Sequence, residues 1–207
     1  MRNRLVAVEP SNLPGEDAYP VYIDSLYDAA QKTITASKAA SDGTVLHKRV
    51  EAWLTGDLTP LAEVTKEQLD DTQLAFDDVQ RLIEAKVDKV LAVERTIWNP
   101  RDLYAGTMDL VARDKDGLLT VWDWKRAEKL YPENACQAVA YAEALYEQLA
   151  AKEDVYGVVC RLRRTEDDPM GAAYRVRDYG GLLARFLKAK ALHEANSTKL
   201  EIWEAYA

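Results

Sequence analysis

Asp109, Asp123 and Lys125 are the residues whose types and spacing point most directly to chemistry. Asp114-Lys115-Asp116-Gly117-Leu118 suits a three-residue hairpin loop, a type I turn with Gly117 in the left-handed position of a bulge. Pairing Asp114 with Leu118 sets Asp109 directly opposite Asp123, where cross-strand Cβ atoms are roughly 5 Å apart. Strand alternation puts Lys125 on the face of Asp123, with Trp122 and Trp124 on the other. Two carboxylates facing each other on a half-buried sheet repel unless a proton, a base or a cation intervenes. A hard divalent cation answers that need, since magnesium takes one or two carboxylates together with waters and substrate phosphate. Lys125 would then stand beside the ion, placed to orient or activate a water and to stabilise charge on a phosphate in the transition state. A plainer reading stands beside this one. Asp123 and Lys125 could form a solvated pair on an open face, with a two-residue turn shifting the register so that Asp109 never meets Asp123. Acid-x-Lys is a common pattern, and Glu84-Ala85-Lys86 matches it within a predicted helix.

The elements that must position these residues follow from periodicity. Helical patterns are expected over residues 24–40, over 43–55 with Ser41 or Asp42 as cap and Gly56 as stop, and over about 66–87. The period then changes. Residues 89–98, 103–113 and 118–125 are rich in β-branched and aromatic side chains and read as three strands of a meander. Pro132 opens a helix running to 150. Strands near 154–163 and 172–178 and a helix from about 180 to 195 complete the chain. The expectation is one mixed α/β domain over residues 1–207, with an N-terminal helical part at about 20–87.

Composition narrows the function classes. A chain of 207 residues with 48% hydrophobic content, 9 Gly and 7 Pro can build a sizeable core. No apolar run approaches the roughly 18 residues of a membrane span, and the N-terminus stops being apolar too early for a signal peptide, so the cytoplasm is expected and a membrane partner is not. Cys136 and Cys160 have no C-x-x-C spacing and read as reduced core residues. The net charge of -8 argues against coating nucleic acid by bulk electrostatics. The charge is uneven, however: residues 57–94 hold ten acids against four bases, while residues 155–192 hold eight bases against four acids. A local basic face is compatible with that pattern, as is an ordinary solvated surface.

The combination Gly106-Thr-Met-Asp109, thirteen further residues, Asp123-Trp-Lys125 and a helix carrying Gln137-Ala-Val-Ala-Tyr141 resembles the PD-(D/E)XK nuclease superfamily, and more closely its RecB-like and phage-type exonucleases. Upstream, Gly43-Thr-Val-Leu-His47-Lys-Arg-Val-Glu51 is similar to the G-T-x-x-H helix that precedes the core in that group. The resemblance covers about residues 40–150 and implies a restriction-endonuclease-like core, a central mixed β-sheet flanked by helices. It implies Asp109, Asp123 and His47 as metal ligands, with the carbonyl of Trp124 helping, and Lys125 as the catalytic lysine. Glu94 matches the acid that many members supply just before the hairpin, and Gln137 and Tyr141 would face the DNA end or the lysine. The implied activity is phosphodiester hydrolysis by metal-activated water with one or two Mg2+ or Mn2+ ions, serving DNA recombination, repair or replication-end processing. The implied partners are DNA and a recombinase, an annealing protein or a helicase. An endonuclease, or a DNA-binding accessory protein without catalysis, is the alternative.

Judged without the family, His47 lies beside an apolar stripe formed with Val50 and Leu54, where a structural histidine is the commoner case. Alternation groups Glu94 with Ala92 and Thr96, and a one-residue bulge would turn it away. Arg95, Arg101 and Arg126 flank these positions and could hold phosphates or be surface charges. The cysteines that hold an iron–sulfur cluster in some RecB-like proteins are missing, and no G-x-x-x-x-G-K-[ST] loop occurs, so strand separation would fall to a partner.

Overall fold

The computed structural model describes residues 6–7, 38–149 and 153–197. Its elements in chain order are β1 (Val6–Ala7), α1 (Lys38–Thr55), α2 (Lys66–Asp71), α3 (Gln73–Lys86), β2 (Val87–Asn99), β3 (Tyr104–Asp114), β4 (Leu119–Arg126), α4 (Pro132–Leu149), β5 (Val155–Leu162), β6 (Ala172–Arg175) and α5 (Tyr179–Ser197). A mixed sheet runs in the order β2-β3-β4-β5-β6. All neighbours are antiparallel except β4 and β5, whose parallel pairing is bridged by α4. The two residues of β1 pair with Ala105 and Tyr104, which already pair with β2 on their other edge. β1 therefore takes the β4 side of β3, beyond the point where β4 has left it.

Helices cover both faces. Leu46 and Val50 of α1 with Phe76, Val79 and Leu82 of α3 bury against Trp122, Trp124, Leu110 and Cys160. Ala140, Tyr141, Ala144 and Leu145 of α4 bury against Ile97, Met108, Val111 and Val121 on the opposite face, with Tyr179 and Phe186 of α5 alongside. The small side chains of α4 allow that close approach. Gly157 on β5 is part of the same fit, because a Cβ there would stand 2.9 Å from the backbone carbon and oxygen of Ala138.

The expected meander is present, and its turn has the expected form. Gly117 has φ +81, Gly117 N–H donates to the Asp114 carbonyl, and Asp114 N–H donates to Leu118. Leu110 pairs with Trp122 and Arg113 with Leu119, the register that loop requires. Three expectations need correction. The helix before Gly56 is continuous from Lys38, so Ser41 and Asp42 lie inside it and do not cap it. The stretch expected as one helix over 66–87 is two, because the Thr72 hydroxyl donates back to the carbonyls of Gln68 and Leu69 and the backbone turns there. The sixth strand stops at Arg175, short of the expected 178. Most of the helix expected over 24–40 lies outside the described residues.

Gly157→Ala should lower stability by about 1–3 kcal/mol, since α4 must move off the sheet to admit the methyl group. A urea midpoint equal to or above that of the parent would contradict this reading of the α4 contact.

Candidate metal centre

The paired ladder between β3 and β4 ends at Leu110 and Trp122, one step before Asp109 and Asp123 would face each other. Beyond that step the strands part. The Trp124 N–H donates to Asp109 Oδ2 at 2.7 Å, so the carboxylate takes a donor that a continuing ladder would give to main chain. β3 also turns about its axis here. Met108 packs with the α4 layer whereas Leu110 packs with the α1 and α3 layer, although residues two apart on a regular strand share a face. β2 is irregular beside it. Its register shifts between Val90 and Ala92, and Glu94 adopts φ +46, a left-handed conformation that costs a non-glycine residue about 1–2 kcal/mol.

These irregularities turn Asp109 and Glu94 toward α1, where His47 waits. His47 Nδ1 lies 2.9 Å from Glu94 Oε1 and 3.1 Å from Asp109 Oδ1. Among the described residues these three form one group whose ligand atoms all lie within 4.8 Å of one another. Burial opposes a charge on the ring, but Asp109 and then Glu94 outweigh it and raise the His47 pKa to about 9. The two acidic neighbours thus favour the protonated ring when no ion is bound.

Asp123 and Lys125 occupy the other side of the gap. Lys125 Nζ donates to Asp123 Oδ1 at 2.9 Å and to Gln137 Oε1 at 3.1 Å. Gln137 Nε2 donates to the Tyr141 hydroxyl at 2.8 Å, which fixes the amide so that its oxygen faces the lysine. Asp123 Oδ2 lies 2.7 Å from Lys125 Nζ, an ion-pair distance, yet it is buried and accepts no directed hydrogen bond. Burial, with a smaller contribution from Asp109, pushes the Asp123 carboxyl up to about 6 against the opposing pull of Lys125.

A divalent ion fits this donor set. One ring nitrogen and carboxylate oxygens at about 2.1 Å from an ion stand about 3 Å apart when they are neighbours in an octahedron, close to the spacing of His47 from Glu94 and Asp109. Binding there would replace the proton that now holds the three together, and the orphaned oxygen of Asp123 offers a further ligand atom nearby. The cluster of buried Asp109 with half-buried His47 and Glu94 can thus hold a metal ion.

The expected residues do not all stand where expected. His47, Glu94 and Asp109 come together, while Asp123 is engaged by Lys125 and lies outside the three-residue group. Trp124 meets Asp109 through its N–H. Gln137 faces the lysine, and Tyr141 is fully buried behind it, out of direct reach of DNA. Arg126 donates to the main-chain carbonyls of Asp71 and Arg164, and Arg101 lies among Asp102, Glu143 and Glu147. Both guanidinium groups thus have protein partners. Sequence reasoning missed Asp78, a buried carboxylate of α3 that accepts from Arg163 and from the Gly171 N–H and pins the β5–β6 connection. No local pattern marks it.

Comparison with known proteins adds the fold. A crystal structure from Eubacterium rectale, described as a "putative exonuclease", matches with a TM-score of 0.51 at 12% identity, over 91% of this chain and 75% of that one. A second solved structure, SSO0001, matches at 11% identity over 80% of this chain and 81% of that one with a TM-score of 0.36, too low to carry an argument. No protein-family model and no curated protein matches the chain. The first likeness shows an α/β fold of the kind found in that exonuclease-named protein. No helix among the described residues is long and apolar enough to cross a membrane.

Because the ion must displace the His47 proton, binding of Mn2+ should release close to one proton at pH 7, falling to about half a proton near pH 9. Apparent affinity should rise up to tenfold per pH unit until it levels near pH 9. Calorimetry in buffers of different ionisation enthalpy measures both, and a pH-independent affinity without proton release would contradict the assignment.

Proposed function

We propose that the chain is a metal-dependent DNA exonuclease of RecB-like PD-(D/E)XK type, hydrolysing phosphodiester bonds with Mg2+ or Mn2+ in the cytoplasm of a bacterial or phage-infected cell. One observation carries the reading. The acidic group around His47 and the Asp123–Lys125–Gln137 chain lie on two sides of one gap in the sheet, joined where the Trp124 N–H, next to Asp123 in the chain, donates to Asp109. The exonuclease-named fold match supports it.

The chain's residues have distinct tasks in this reading. His47, Glu94 and Asp109, with Asp123 beside them, hold the ion. When bound, the ion supplies Lewis acidity toward a phosphate oxygen and a water. Lys125 gives one N–H to Asp123 and one to Gln137, which leaves a third for a substrate oxygen on which charge develops. Gln137 and Tyr141 keep the ammonium from swinging away, and Trp124 holds Asp109 in place through its N–H. DNA is the substrate, and recombination, repair or replication-end processing is the setting, with a recombinase, annealing protein or helicase as associated partner.

Lys125→Gln preserves hydrogen bonding to Asp123 and Gln137 but removes the charge. It should lower the melting temperature, because buried Asp123 loses its cation, yet keep a single cooperative transition, and it should lower the rate of cleavage of linear DNA roughly 100- to 1,000-fold. Covalently closed circular DNA should resist the parent protein. Undiminished cleavage by the variant would remove Lys125 from the chemistry, and cutting of the circle would make the enzyme an endonuclease.

A further inference from the structure

A cleft of about 320 Å3 lies over β5 and β6 next to the start of α4. Val159 and Asn134 line it, and both are tied to the site: Val159 pairs in register with Asp123, and Asn134 is one helical turn before Gln137. The cleft therefore begins immediately beside the Asp123–Lys125–Gln137 chain, on the side toward β6. Tyr131 from the approach to α4, Tyr174 from β6 and Arg177 beyond it complete the part that matters here.

Three properties of this cleft point to one kind of ligand. No carboxylate lines it, although the chain carries a net charge of -8. Tyr131 and Tyr174 are 43% and 52% exposed, two aromatic rings from separate elements left open on the same small cleft. Arg175 and Arg177 line it. Lys129 Nζ lies 5.3 Å from the Tyr131 ring centre. Exposed tyrosines and arginines on a cleft without acids suit a ligand that is anionic along its backbone and flat at its side groups. Single-stranded nucleic acid is such a ligand, since aromatic rings stack its bases without regard to sequence and basic groups follow its phosphates.

We propose that this cleft takes one unpaired base of the substrate strand, from the nucleotide next to the phosphate at Lys125, with Tyr131 and Tyr174 as stacking residues and Arg177 at the rim. The inference rests on the nuclease reading above and gives its substrate class: single-stranded DNA, or an end frayed far enough to free one base. A paired base cannot enter, because its partner strand would have to follow it into a space of nucleotide size. The sharing of Asn134 and Gln137 by one helix face couples the filled cleft to the lysine, so that a stacked base sets the neighbouring phosphate beside Nζ.

The test measures binding of a fluorescein-labelled oligothymidylate and of a blunt duplex by anisotropy, with Mg2+ present and Lys125→Gln as the uncleaving parent. Tyr131→Ala and Tyr174→Ala should each weaken single-strand binding roughly five- to a hundredfold while leaving duplex binding unchanged. Tyr→Phe at either position should restore it and so exclude a folding defect. A single abasic residue moved along the oligonucleotide should reproduce the loss at one position in the parent and add nothing to the alanine variants. Single-strand binding unchanged in both alanine variants, or abasic losses identical in parent and variants, overturns the cleft assignment while leaving the nuclease reading intact. Wild-type protein that cuts neither single-stranded nor duplex DNA with Mg2+ or Mn2+ overturns both.

Discussion

Asp109 and Asp123 are buried on neighbouring strands, where an unanswered negative charge costs several kcal/mol. Much of the surrounding architecture can be understood as the means of answering those two charges. His47 is delivered from α1 on one side of the sheet, Lys125 comes from the same strand as Asp123, and Gln137 arrives from α4 on the other side. The helical layers thus do more than bury apolar surface, since each contributes a polar group that a continuous hydrophobic sandwich would have no reason to hold. Removing either cation would leave a buried carboxylate uncompensated, a change that typically costs 3–5 kcal/mol.

A regular sheet could not make this arrangement, because its two faces are insulated from each other by the ladder. The ladder fails locally. β3 turns between Met108 and Leu110, β2 carries Glu94 in a left-handed conformation, and β4 separates so that Asp109 accepts a hydrogen bond from Trp124. The strain at Glu94 is held by the close packing of β2 and β3 on either side of it, and it aims the carboxylate at His47. β1 then closes the exposed edge of β3 past the opening. The opening is therefore framed by paired backbone at both ends, a rigid setting for an ion site.

Much of this was legible in the chain because the informative residues act locally. The loop from Asp114 to Leu118 has one comfortable length for a Gly117 in the left-handed region, and that alone sets the pairing of Leu110 with Trp122. The tryptophans of β4 lie on the face away from Lys125 as alternation requires. One miss has a local cause and the others tertiary ones. Thr72 splits a helix through its own hydroxyl, Glu94 leaves the face that alternation assigns because the strands distort around it, and Tyr141 disappears behind Gln137 because the Ala-rich helix settles so close to the sheet. The arginines were the least legible residues. Arg126 and Arg161, on adjacent strands, each tie two main-chain carbonyls through Nη2, contacts that only the folded chain brings within reach.

The central claim is that the gap between β3 and β4 is a divalent-metal site built from both sides of the sheet. Crystals of the protein grown with Mn2+ and measured at the manganese absorption edge test it directly. The account predicts an anomalous peak within about 2.3 Å of His47 and of carboxylate oxygens of Glu94 and Asp109, with Lys125 still held by Gln137. A fully occupied peak elsewhere, with the His47 imidazolium still bridging the two carboxylates, would contradict it.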